Sequence, residues 1–295
     1  MKRSTLLLIG VLAALGIVTY IVLQRPGESS SDSSSPEMLV TYDSSAVDRI
    51  QVTSGSSTVT LALEGGKWMI TAPVHFRADQ SAVAAAISRG RKIEVRGLVS
   101  NNPEKQGIFQ VDSAGTLVQI FERGTQRAAF RIGKPGTRYD ETYIRREGAA
   151  EVLVGEGPLT YLYVKSPNDW RDRTVFKANR DNITSIRYRY GDTTFTLSFT
   201  DSAWQVDSRP ASSAAVQNLL ATLSNYLAND FLDSSFTPSG PPAAMVEVLD
   251  AQIRFYRTNG SGRFLVQSSR DPQWYILDPY RAQDLLKRKK DLVAP

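Results

Sequence analysis

The sequence contains no cysteine and a single histidine, His75. The first absence excludes disulfides, thiolate metal sites, cysteine nucleophiles and the lipid-bearing cysteine of a lipoprotein. The second excludes a multi-histidine metal centre within the chain. Excess charge is also scarce. The chain is net +5, but Lys2, Arg3 and Arg25 balance Glu28, Asp32 and Glu37 over residues 1–40. Of the remaining +5, the run Lys287, Arg288, Lys289, Lys290 with Asp291 supplies +3. The basic character is thus mostly a property of one tail, read as a solvated helix end, and no nucleic-acid partner is expected.

Hydrophobic residues make up 41% of the chain, enough for a packed core and too many for a disordered one. Leu6–Leu23 carries no charge and no polar face. As a helix it would span roughly 27 Å, near the hydrocarbon thickness of a bilayer. Lys2 and Arg3 before it favour a cytoplasmic N-terminus, and no small-x-small cleavage pattern ends it. The reading is an uncleaved transmembrane anchor over residues 1–24 and a single-pass inner-membrane protein with a periplasmic body. Gly27–Pro36, with six serines in ten residues, reads as part of a flexible linker over 25–40.

The body repeats itself. Val47–Ile70 lies without a gap over Ile183–Val206, matching Ile50 with Ile186, Gly55 with Gly191, Leu61 with Leu197 and Trp68 with Trp204. Val59, Leu61 and Leu63 alternate with small or polar residues, as do Phe195, Leu197 and Phe199, the period of a half-buried strand. Gly65-Gly66 and Asp201-Ser202 mark the following turns. Helices follow, capped by Asp79 with Val83, Ala86, Ile87 and Ile93, and by Ser212 or Ser213 with Val216, Leu219, Leu220, Leu223, Tyr226 and Leu227. Further strands are expected over 116–122, 127–133, 143–146 and 151–155, and over 245–249, 252–257, 263–268 and 274–277. Short helices near 158–164 and 279–290 close each unit. The fold class is α+β: an N-terminal transmembrane helix, then two tandem duplicated modules (41–177 and 178–295), each an antiparallel β-meander with a packing helix and further strands.

Candidate chemistry is sparse. Trp68 and Trp204 read as core residues at the strand–helix interface. His75 lacks a serine or carboxylate at a diagnostic spacing. Asp140-Glu141 reads as a solvated loop pair. Gly133-Lys134-Pro135-Gly136 lacks the spacing of a phosphate loop, and Pro135 removes an N–H such a loop needs. Asn182-Ile183-Thr184 and Asn259-Gly260-Ser261 match a glycosylation pattern that is frequent by chance. Arg138, Tyr139, Tyr143, Arg145, Arg146, Trp170, Arg171 and Arg173 concentrate the residue types enriched at protein interfaces. No catalytic residue, metal ligand or cofactor site is assigned.

Lys67-Trp68-Met69-Ile70-Thr71-Ala72-Pro73 after Gly65-Gly66, Ala78-Asp79, Val99–Ile108, Tyr143–Arg146 and Asp169-Trp170-Arg171-Asp172 resemble domain-of-unknown-function family 4340. The resemblance covers most of residues 40–295. It implies a membrane-anchored bacterial protein, encoded beside ABC-type transport components of the gliding-motility kind, with no catalytic residues to carry over. The expectation is a non-enzymatic extracytoplasmic accessory or assembly protein of such a complex, partnered by its own membrane and an ABC-type permease. The alternative is an envelope module binding a glycan or peptide in an aromatic-lined groove between the modules. A hydrolase with a dispersed site is the least supported reading.

Overall fold

The computed structural model describes residues 36–258, 260 and 262–294. Among them, no helix is long and apolar enough to cross a membrane. The expectations of a transmembrane helix in the fold, a self-anchored membrane partnership, single-pass topology and inner-membrane localisation are therefore withdrawn. Leu6–Leu23, from which they were read, lies outside the described residues, as does the linker through Ser35. The fold is α+β, with two similarly arranged nine-stranded antiparallel sheets.

The first half runs β1 (Val47–Ser54), β2 (Ser57–Glu64), β3 (Lys67–Ala72), β4 (Phe76–Arg77), α1 (Gln80–Gly90), β5 (Val95–Ser100), β6 (Thr116–Glu122), β7 (Thr125–Pro135), β8 (Glu141–Arg146), β9 (Val152–Glu156) and α2 (Leu159–Tyr163). A short strand, β10 (Thr174–Phe176), leads into the second half. There follow β11 (Ser185–Tyr190), β12 (Thr193–Thr200), β13 (Ala203–Val206), β14 (Arg209–Pro210), α3 (Ser213–Ser224), β15 (Tyr226–Leu227) and β16 (Asp230–Leu232). The half ends with β17 (Ala244–Val248), β18 (Ala251–Arg257), β19 (Phe264–Ser268), β20 (Asp271–Leu277), α4 (Pro279–Leu285) and α5 (Lys289–Leu292). The sheet orders are β4-β3-β2-β1-β6-β7-β8-β9-β5 and β14-β13-β12-β11-β17-β18-β19-β20-β16.

The internal repeat reaches down to register. Ile50 pairs with Leu61, which pairs with Ile70; Ile186 pairs with Leu197, which pairs with Val206. All six side chains are buried, because residues opposite one another in an antiparallel ladder share a face. Gly55 and Gly191 both hold positive φ, +57° and +55°, in the two β-hairpin turns, a conformation that costs glycine least. Trp170 O accepts from Asp79 N, and Leu292 O accepts from Ser212 N, each at 2.8 Å, so the tail of each module closes over the head of its helix.

Each helix covers the apolar face of its sheet. Asp79 Oδ1 caps α1 by accepting from Ser81 N and Ala82 N, and Val83, Ala86 and Ile87 face inward. Ser212 caps α3, whose Val216, Leu219, Leu220 and Leu223 are buried. Some details differ from the periodicity reading. Leu63 and Phe199 are 44% and 48% exposed, unlike the buried apolar residues that precede them in β2 and β12. Ile93 lies beyond α1, beside the Met38–Glu94 bridge. Tyr226 and Leu227 leave the helix to pair with β10. Val175 and Phe176, which precede the 177/178 boundary, pack into the second core.

Candidate functional site

The residues singled out by sequence do not converge on one centre. His75 lies on an exposed loop and meets Glu64, Nε2 to Oε2 at 3.1 Å. Trp68 and Trp204 are half-buried at the margins of the two cores, each opposite its partner strand's exposed Leu63 or Phe199. Gly133 lies within β7, where a side chain would strike Phe109 O, and Gly136 N donates to Glu141 O across the hairpin. Asp140 pairs with Arg96 at 2.8 Å, and that bond first holds its carboxyl below the usual aspartate range. Asn182 is exposed in a short turn, while Asn259 and Ser261 are not among the described residues. No group of three or more His, Cys, Asp or Glu among the described residues could hold a metal ion.

The arginine and aromatic set divides into structural roles. Arg145 donates to Val111 O and Ala149 O, and Arg146 to Leu39 O and Met38 O, so both staple loops to the sheet. Tyr143 packs on Phe109 with ring centres 4.7 Å apart. Trp170 is fully buried in the first core. Arg171 is 3% exposed and reaches into the second module. Its Nη1 donates to Asp233 at 2.7 and 2.9 Å and its Nη2 to Gln273 Oε1 at 3.2 Å. The guanidinium lies between Phe231 (3.7 Å) and Phe76 (4.4 Å). Arg77 Nη2 meets Asp271 Oδ2 at 2.5 Å, and Tyr275 OH donates to the same oxygen at 2.8 Å. Together they form the seam between the modules.

The remaining members of the set, Arg138, Tyr139 and Arg173, lie on a second surface, around α2. α2 buries Leu159 and Tyr163 against α1 and leaves Tyr161 between them 84% exposed. Three depressions meet at this tyrosine. One of about 340 Å3 is edged by Arg89 and Lys92, and one of about 580 Å3 by Arg138 and Tyr139, itself 94% exposed. The third, about 890 Å3, runs along the seam past Asp79, Lys165, Asp169, Arg173 and Lys177. Apart from Tyr161 its lining is aliphatic, polar or charged, so it lacks the aromatic walls expected of a glycan groove.

Charge on this surface is uneven. Asp79 is the cap of α1, Asp169 pairs with Arg173, Asp172 with Arg77, and Glu141 with Arg96 and Arg138. Every acid lining the depressions therefore has a partner. Arg89, Lys92, Lys165 and Lys177 make no ion pair among the described residues. Burial pulls the Lys165 ammonium below the ordinary lysine value, against Asp79 and Asp169, and its Nζ rests 4.7 Å over the Trp170 ring. An exposed aromatic beside Arg89, Lys92 and Lys177 suits an acidic segment of protein. Sequence reading passed over Tyr161, although its place between Leu159 and Tyr163, an inward i, i+4 pair, marks it as outward-facing.

Residues 68–247 match the family model described as "Domain of unknown function (DUF4340)". No curated protein and no solved structure matches the chain.

Proposed function

Since the chain belongs to the DUF4340 family, whose description assigns no activity, we propose from its surface that it is a non-enzymatic accessory and assembly protein that docks an acidic segment of a partner protein against the Tyr161 face. The partner is a component of a transport complex, the assignment that the family resemblance implies. The supporting observation is the charge imbalance: the acids lining the three depressions are all paired, whereas Arg89, Lys92 and Lys177 have no acidic partner among the described residues. Interface tyrosines supply large contact area at little entropic cost, and surrounding cations steer an acidic partner and set its register.

In-cell photo-crosslinking tests this reading. A benzophenone amino acid at position 161 should give a discrete adduct, with the attachment point in an acidic segment of a transport-complex component. The same group at Phe199, exposed near the end of β12 in the second module, is the control. Loss of the adduct on changing Arg89 and Lys92 to Glu is expected. Identical adducts from both positions, or no adduct at 161, would refute the docking face.

A further inference from the structure

The basic run near the C-terminus is not simply solvated. Lys289 Nζ pairs with Asp207 Oδ2 at 2.7 Å. The Arg288 guanidinium stacks 3.8 Å over the Tyr190 ring, and Tyr190 OH donates to Lys287 O at 2.7 Å. These contacts turn Lys287 and Arg288 toward a cavity of about 610 Å3 in the second module, within the size range of small-molecule sites. Ala215, Ala244, Phe264, Pro279 and Leu286 give it an apolar floor. Arg257, at the end of β18, completes a cationic rim and packs 5.5 Å from the Phe264 ring.

The rim carries more positive charge than it balances. Arg257, Lys287 and Arg288 face one acid, Asp291, an excess of two positive charges (3 − 1). Asp291 Oδ2 accepts from Arg288 N at 2.8 Å, reaching back from within α5 to the N-cap residue. None of the three cations forms an ion pair among the described residues.

The internal repeat separates what the fold requires from what was added. The first module closes over α1 with the turn Pro167–Trp170, whose Asp169 is paired with Arg173. That turn does the work of α5, delivering Trp170 O to Asp79 N as α5 delivers Leu292 O to Ser212 N. It does so without a run of cations. Lys287 and Arg288 are therefore not needed to close a module.

We propose that this cavity binds an organic phosphate, with an apolar body on the floor and its dianionic head among Arg257, Lys287 and Arg288. An excess of two positive charges matches a phosphate monoester, and guanidinium forks favour phosphate oxygens. The site is independent of the Tyr161 face.

Titration of the full chain with 2-naphthyl phosphate tests the proposal. Saturable binding that weakens with added salt is expected. Arg257→Gln and Arg288→Gln should each weaken it roughly tenfold, the scale of a charge-assisted hydrogen bond. Both side chains are exposed, so unchanged thermal melting checks that the variants fold. A parallel arm uses vesicles of phosphatidylcholine with and without phosphatidic acid. Binding only to the phosphatidic acid vesicles, lost in the same variants, supports the site with a lipid headgroup as the source. Equal binding of uncharged 2-naphthol, indifference to both substitutions, or no binding to either phosphate source would overturn it.

Discussion

Arg171 carries the largest share of interactions at the seam. Its guanidinium is sandwiched between Phe76 and Phe231 while donating to Asp233 and Gln273. Asp233 is half-exposed, so removing the arginine would not strand a buried carboxylate. The loss comes from the stacked contacts and the charge-assisted bonds. Arg171→Ala should lower stability by about 2–3 kcal/mol. Arg171→Lys should recover little, because an ammonium cannot lie flat between two rings and fork toward two acceptors. Urea unfolding of the three proteins checks both; full recovery by lysine would reduce the site to a point charge. The sequence marked Arg171 as a residue of binding type, and that was legible because arginine beside tryptophan is interface chemistry. It could not show that the partner is the chain's own second module, since Asp233 and Gln273 lie far along the chain.

At the level of elements, what the sequence disclosed follows from period and turn chemistry. Alternation revealed β2 and β12, and the i, i+4 rows revealed α1 and α3 with their caps. β5 escaped because Val95–Ser100 is exposed on both faces and so has no alternation to read. Tyr226 and Leu227 continue the apolar spacing of α3, yet the backbone breaks at Asn225, φ −163°, and pairs them with β10. The repeat also exposes a local weakness. Gly65 and Gly66 turn β2 into β3 with φ +56° and +79°, while the matching Asp201 and Ser202 hold +53° and +64°. A side chain in this left-handed region is strained where glycine is not. Ser202→Gly should therefore stabilise the second module by about 1 kcal/mol, read as a higher urea midpoint at unchanged slope. A lower midpoint would mean that Ser202 holds the turn by some contact of its own.

The described residues form two similarly arranged halves locked by a polar seam, and the lock should respond to acid. The similar arrangement of the two halves was visible in sequence because matched strands keep matched residues. The seam was not, because it joins Arg77 to Asp271 across most of the chain. Burial alone would raise the Asp271 carboxyl, but hydrogen bonds from Gln273 N–H, Arg77 and Tyr275 outweigh it and hold the group below the usual aspartate value. The sign follows from linkage. A carboxyl with a folded value below its unfolded one, about 3.9, releases its proton more readily in the folded chain. Its contribution is complete above that unfolded value and disappears as pH falls through the folded one. Stability of the intact chain should thus fall as pH drops below about 4, with Asp271 among the groups responsible. Asp271→Asn should cost stability near neutral pH, where Arg77 loses its ion pair with Asp271 and keeps only the one with Asp172, and should flatten the acid limb. Urea midpoints of both proteins between about pH 7 and pH 2.5 test this, and the two curves should converge toward acid. If they ran parallel throughout, Asp271 would not be an acid-labile group of the seam, and the bond between Arg77 and Asp271 would be incidental to how the modules hold together.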